Sequence, residues 1–106
     1  MRELVASNKF LKDLDRVKRT VASTKDTSKF LTEISLVVGR LLFAVDLELR
    51  HRDHALTGDW VGFRDCHVFN DLVLIYRVYD KQNPHKDYGS NVLVLARLGS
   101  HSELDL

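Results

Sequence analysis

The chain has one cysteine, no excess of charge of either sign, no long apolar run and no internal repeat. Each absence narrows the field. Cys66 alone forms neither an internal disulfide nor a cysteine-rich zinc framework. No His-Glu-x-x-His spacing is present, so no structural metal and no cofactor are expected. Lysines and arginines number 16 against 15 aspartates and glutamates, which leaves no global field to draw in nucleic acid. Contact with RNA or DNA then has to come from local patches. With no secretory signal and no stretch long enough to span a bilayer, a soluble cytoplasmic protein without membrane contact is expected. At 106 residues, 44% of them hydrophobic, there is material for a single domain over residues 1–106 with one modest core.

What is present divides into a helical front half and a strand-rich back half. After a short extended start at Glu3–Ala6, Ser7 is placed to cap a helix whose Phe10, Leu11, Leu14, Val17 and Val21 share one face. Lys9, Lys12, Arg16 and Arg19 fall on the opposite face, a basic stripe that is either a solvated surface or an RNA-backbone contact. A second helix is signalled by Thr27 or Ser28 as cap and by Phe30, Leu31, Ile34, Val37, Val38, Leu41 and Leu42. Gly39 within it costs helix propensity and is read as allowing close packing. From about Val45 to Phe63 no periodicity survives, so His51, His54, Gly58 and Trp60 are expected on a long connection of the kind that carries function. Strands are expected at Val61–Val68, Leu72–Tyr79 and Val92–Leu98, with a turn at Asn70-Asp71 and a longer hairpin tip from Asp80 to Asn91 holding His85. Ser100 is placed to cap a final turn over His101–Leu104.

This order predicts an α+β fold, with two N-terminal helices packed on one face of a small, mostly antiparallel, three- to four-stranded sheet whose other face is partly open. Arg77 and Arg97 are expected toward that open side. Strict alternation groups Leu93, Leu95 and Arg97 on one side of their strand and Val94, Ala96 and Leu98 on the other.

Four of the five histidines stand in three short blocks that also carry arginine and aspartate: His51-Arg-Asp-His54, Arg64-Asp-Cys-His67 and Arg97-Leu-Gly-Ser-His101. Imidazole moves protons near neutral pH and guanidinium holds phosphate, which together point to acid/base cleavage of a phosphodiester. RNA offers its own 2′-OH as nucleophile. The protein must then remove that proton, stabilise the crowded phosphate and protonate the departing 5′-oxygen. Histidines of these blocks can serve both proton steps, and an arginine can hold the scissile phosphate and stabilise charge on its oxygens. Asp53 and Asp65 are read as turn caps or partners of Arg52 and Arg64, Trp60 as a core or loop anchor and Cys66 as a buried filler.

Asp53-His54-Ala-Leu-Thr-Gly-Asp-Trp60, Phe63-Arg-Asp-Cys-His67, Asp71-Leu-Val-Leu-Ile-Tyr76 and Arg97-Leu-Gly-Ser-His-Ser-Glu-Leu104 together resemble the YafQ branch of the RelE/ParE toxin superfamily. The resemblance implies a RelE-like fold and a bacterial type II toxin. Such a toxin is a metal-independent, ribosome-dependent endoribonuclease that cuts translated mRNA. A cognate antitoxin holds it inactive, and it meets operator DNA only through that complex. By matching motif positions, the family's active-site residues fall on His54, His67, Asp71, Arg97 and His101. On those positions His54 is expected as general base, His101 as general acid and Arg97 on the scissile phosphate; exchanging the two histidines satisfies the sequence equally. Asp71 is expected to orient His67 and raise its pKa, with His67 contacting phosphate or ribose. Leu72, where an aromatic often stands, and Asp105, where many members end in Leu-Phe, depart from the pattern and remove stacking surfaces worth about 1–3 kcal/mol each. Two other readings are a ParE-like toxin that binds gyrase without nuclease chemistry and a catalytically inactive module that only binds an antitoxin. The His/Arg/Asp set counts against the gyrase reading, which needs no proton shuttle. An apolar helix face and an open sheet side would each offer an antitoxin segment a groove.

Overall fold

A computed structural model describes residues 1–22 and 24–106. In chain order the elements are β1 (Glu3–Ala6), α1 (Asn8–Val21), α2 (Thr27–Leu42), β2 (His54–Ala55), β3 (Arg64–Phe69), β4 (Leu72–Tyr79) and β5 (Val92–Gly99), with short 3-10 turns at Leu49–His51 and Gly58–Trp60. They form one sheet in the order β1-β5-β4-β3-β2. The β1–β5 pairing is parallel and the other pairings are antiparallel. The expected class therefore holds, with five strands in place of three or four. The expected extended start at Glu3–Ala6 is the edge strand β1, paired with β5, and the strand beyond expectation is β2 at the other edge, whose two residues carry too little alternation to be read as a strand.

Ser7 begins α1 as its composition suggests. The Ser7 hydroxyl accepts from the Phe10 amide at 3.0 Å and donates to the Ala96 carbonyl at 2.8 Å, tying the helix start to β5. For α2 the cap residue is Asp26, not Thr27 or Ser28, and its side chain makes no capping bond. Thr27 instead donates to the Val21 carbonyl at 2.7 Å, closing the link between the helices. A methyl group at Gly39 would meet nothing within 4 Å, so this glycine serves no close packing.

Both helices lie on one face of the sheet, over a core of Phe10, Val17, Phe30, Val37, Leu41, Cys66, Leu74, Tyr76, Leu93, Leu95 and Leu98. On the opposite face a smaller cluster of Val73, Ile75 and Leu104 is flanked by Leu56, Trp60, Phe63 and Ala96. Arg77 reaches that side, over the Phe63 ring at 5.4 Å and the Tyr79 ring at 4.7 Å. The hairpin tip from Asp80 to Asn91 is a folded turn. Asp80 accepts from the Gln82 and Asn83 amides, and His85 packs between Tyr79 and Tyr88. Among the described residues no helix is long and apolar enough to cross a membrane.

Candidate active site

The register across four strands builds the site. His54 on β2 faces Asp65 on β3, Asp65 faces Ile75 on β4, and Ile75 faces Arg97 on β5, which makes one transverse row. Facing residues in a sheet project to the same side, here the side away from the helices. The neighbouring row is His67, Val73 and Gly99. His101 follows Gly99 by two residues, and its ring centroid lies 4.9 Å from that of His67. His54, Trp60, Asp65, Arg97, His101 and Leu104 line a cavity of about 570 Å³ on this face. The expected long connection thus becomes a two-residue strand at the point that matters.

Hydrogen bonds fix which imidazole nitrogen is free. His54 Nδ1 lies 2.8 Å from the Arg52 carbonyl, an acceptor only, so Nδ1 carries the proton and Nε2 of the neutral ring presents a lone pair. Asp65 Oδ1 also lies 3.1 Å from that nitrogen, yet the proton is directed to the carbonyl, and Oδ1 accepts no hydrogen bond among the described residues. Burial pushes the Asp65 carboxyl above the usual carboxylate range, while the surrounding His54, His67 and His101 pull the other way.

Asp71 pairs with a different histidine from the one expected. His101 Nδ1 lies 2.5 Å from the Asp71 carboxylate, which that bond holds below the usual range. The two-residue turn carries Asp71 past His67 toward the C-terminal segment. His67 itself is lowered by burial and by neighbouring His101, the reverse of the expected rise. The segment holding His101 is a turn closed by a reciprocal cap: Ser100 Oγ accepts from the Glu103 amide at 3.1 Å and Glu103 accepts from the Ser100 amide at 2.9 Å.

Arg97 reaches the open face through an irregularity. Tyr76 pairs with Leu95 and Ile75 pairs with Arg97, so Ala96 is an extra residue in β5. This bulge breaks the expected alternation. Leu98 moves into the helix-side core and Arg97 moves beside Ile75. Beyond Leu95 the edge strand β1 has ended, and α1 approaches β5 in its place. There Asp13, 3% exposed, takes Arg97 Nε at 2.7 Å and Nη2 at 3.3 Å, and also accepts from the Leu98 amide at 3.0 Å. Burial alone would raise the Asp13 pKa; the bonds from Arg97, Leu98 and Arg16 outweigh it and hold the carboxyl low.

Arg16 leaves the basic stripe for this network. It bonds Asp13 at 2.9 Å, the Leu98 carbonyl at 3.0 Å and Glu103 at 3.2 Å. Arg19 lies 3.7 Å from Asp15, while Lys9 and Lys12 are exposed.

Residues near the site in sequence are not all near it in space. His51 is buried on the helix side, where its Nε2 lies 3.2 Å from Glu33 and Arg50 bonds the other Glu33 oxygen at 2.7 Å. Asp53 pairs with Arg64 at 3.1 Å and accepts from the Tyr76 hydroxyl, so its ion partner is Arg64 and not Arg52. Leu72 packs against the helix-side core and opens no gap in the site face. Cys66 is fully buried and burial pushes its thiol far up, which fits a filler. Trp60 packs edge-on against Phe63 at 5.2 Å and also lines the cavity, so it both anchors and borders the site.

Two site-associated carboxylates escape a motif reading. Asp65 stands two residues before His67 on one strand, which puts both on one face. Asp13 sits between Phe10 and Val17 at helical spacing, a charge inside an apolar stripe. Those spacings were the available signals.

Comparison with known proteins agrees with the motifs. The profile of a family described as bacterial toxin of type II toxin-antitoxin system, YafQ, matches residues 2–106. The mRNA interferase toxin YafQ of Escherichia coli K12 is 32% identical over 103 residues, covering 97% of this chain and 95% of the relative. A metal-bound toxin from Helicobacter pylori superposes with a TM-score of 0.75 at 36% identity, over 98% of this chain and 99% of that one. Among the described residues here no three His, Cys, Asp or Glu side chains converge to share an ion. YafQ in the E. coli DinJ-YafQ complex superposes with a TM-score of 0.69 at 29% identity, over 98% of each chain. The chain belongs to the YafQ family of type II toxin-antitoxin toxins.

Proposed function

We propose that this toxin is an mRNA interferase that cleaves translated mRNA on the ribosome by acid/base chemistry at the open face. The observation that carries the reading is the row from His54 through Asp65 to Arg97, with His67 and His101 beside it. His54, with its proton held on Nδ1 by the Arg52 carbonyl, offers Nε2 to take the 2′-OH proton. His101, oriented through Nδ1 by Asp71, turns Nε2 to the departing 5′-oxygen as proton donor. Arg97 neutralises charge on the phosphate oxygens as the crowded transition state forms. His67, with its lowered pKa, acts as a neutral hydrogen-bonding group at phosphate or ribose. Lys9 and Lys12 on exposed α1 are available to an RNA backbone.

The reading is supported by the E. coli relative named an mRNA interferase toxin. The partner that restrains the toxin is a cognate antitoxin, as the E. coli relative has in its complex with DinJ. The test is cleavage of a defined message in a purified translation system, read by primer extension. His54→Ala, Arg97→Ala and His101→Ala are each expected to slow cleavage by about 100-fold or more, in line with general acid-base and charge-stabilising groups. Cleavage at the parent rate by all three variants refutes the assignment.

A further inference from the structure

We propose that Asp13 is a positioning residue for the cleavage reaction, acting through Arg97. The proposal rests on the reading of Arg97 as the phosphate-binding group. Three observations carry it. First, Asp13 holds Arg97 side-on, through Nε and Nη2, and among the described residues Nη1 makes no hydrogen bond. Side-on pairing fixes the guanidinium plane and leaves its remaining edge for a second anion. Second, the same carboxylate accepts the Leu98 amide. It therefore pins the backbone at the point where the Ala96 bulge has turned Arg97 to the open face. Third, Asp13 is buried while the site it serves is on the opposite face, so it cannot itself meet substrate. The contact passes around the edge of β5 beyond the end of β1.

Arg16 extends the same arrangement to His101. Its guanidinium joins Asp13 to Glu103, and Glu103 caps the turn that begins at Ser100. A Cβ at Gly99 would stand 3.1 Å from Arg16 Nη2 and 3.2 Å from Glu103 Oε1, so the network fits closely around this glycine. One buried carboxylate on α1 thereby sets the place of the phosphate group's cation. A flexible arginine without that anchor samples many rotamers, and misplacement of a catalytic group by about 1 Å costs on the order of 100-fold in rate.

The experiment is a double-mutant cycle in single-turnover cleavage on programmed ribosomes, with Asp13→Asn, Arg97→Ala and the double variant, each melted beforehand. Asp13→Asn is expected to lower the cleavage constant about 10- to 100-fold with half-saturating ribosome concentration changed less than twofold. Added to Arg97→Ala, it is expected to lower the rate by a much smaller factor than in the parent. Equal fractional losses in the two backgrounds overturn the proposal, as does a parent rate for Asp13→Asn alongside an inactive Arg97→Ala. A parent rate for Arg97→Ala refutes the site reading instead. The unmutated protein supplies an independent check free of folding effects. Its Arg97 Nε proton, assigned by its loss in Arg97→Ala, is expected to exchange slowly with water in nuclear magnetic resonance spectra, and rapid exchange overturns the proposal.

Discussion

Replacing Asp65 with asparagine is expected to make the protein more stable. Asp65 is 2% exposed and its Oδ1 accepts no hydrogen bond among the described residues. A buried polar group left unsatisfied costs about 1–3 kcal/mol, and an ionised one costs more. Asparagine keeps the shape and removes the charge. For a domain of this size about 1 kcal/mol moves the melting temperature by about 4–8 °C, so at pH 8 the Asp65→Asn variant should melt at least about 4 °C above the parent. The pH dependence follows from the raised folded-state pKa. A raised pKa means that the parent has its full contribution from this group below the unfolded value near 4 and loses it as pH rises through the folded value. The gap between variant and parent should therefore be close to zero at pH 3.5 and open as pH increases to 8. Melts followed by circular dichroism across that range measure it. A variant that melts at or below the parent at pH 8, or a gap that does not vary with pH, refutes the reasoning.

Gly39 sits within α2 with open space where a methyl would go, so Gly39→Ala should stabilise by about 1 kcal/mol, read as a higher urea midpoint with unchanged cleavage. Cys66 should react with a thiol reagent only on the time scale of unfolding, because the side chain is fully buried and its thiol is held protonated; fast labelling of the native protein would contradict this. Asp13 and Glu33 both have lowered pKa values, Glu33 chiefly through its bond from Arg50. A lowered carboxylate pKa contributes stability that is present above about pH 4 and lost as pH falls through the folded value. Urea unfolding of Glu33→Gln should accordingly show its largest deficit against the parent at pH 7 and a shrinking one below pH 4.

Much of the fold was legible because hydrophobic spacing is local. The faces of α1 and α2 and the runs of β4 and β5 each announce themselves within a dozen residues. His54, Arg97 and His101 stood out as candidates for a different reason, since their motif blocks carry residue types suited to phosphate chemistry. What misled was strict alternation along β5, because a single extra residue reverses every side chain beyond it and nothing in Ala96-Arg97-Leu98 marks the insertion. The partner of Asp71 was misread for a related reason. Nearness in sequence favoured His67, whereas the choice depends on where a segment 30 residues later is laid down.

The amino-acid sequence by itself determined the division into helices and strands, the candidates for acid/base work and membership of a toxin family. Those properties follow from side-chain chemistry and short-range periodicity. Tertiary structure alone decided which of those groups lie together. It drew His54, Asp65 and Arg97 into one row, sent His51 to the opposite side of the sheet to meet Glu33, and gave His101 to Asp71. The two helices make the point in the same way. Phe10-Asp13-Val17 and Phe30-Glu33-Val37 repeat one spacing, with an acid buried in each apolar stripe. In α1 that acid meets Arg97 beside the site, and in α2 it meets Arg50 and His51 away from it. A buried charge requires a partner, and the partner is set by the packing of distant segments, which local sequence does not encode.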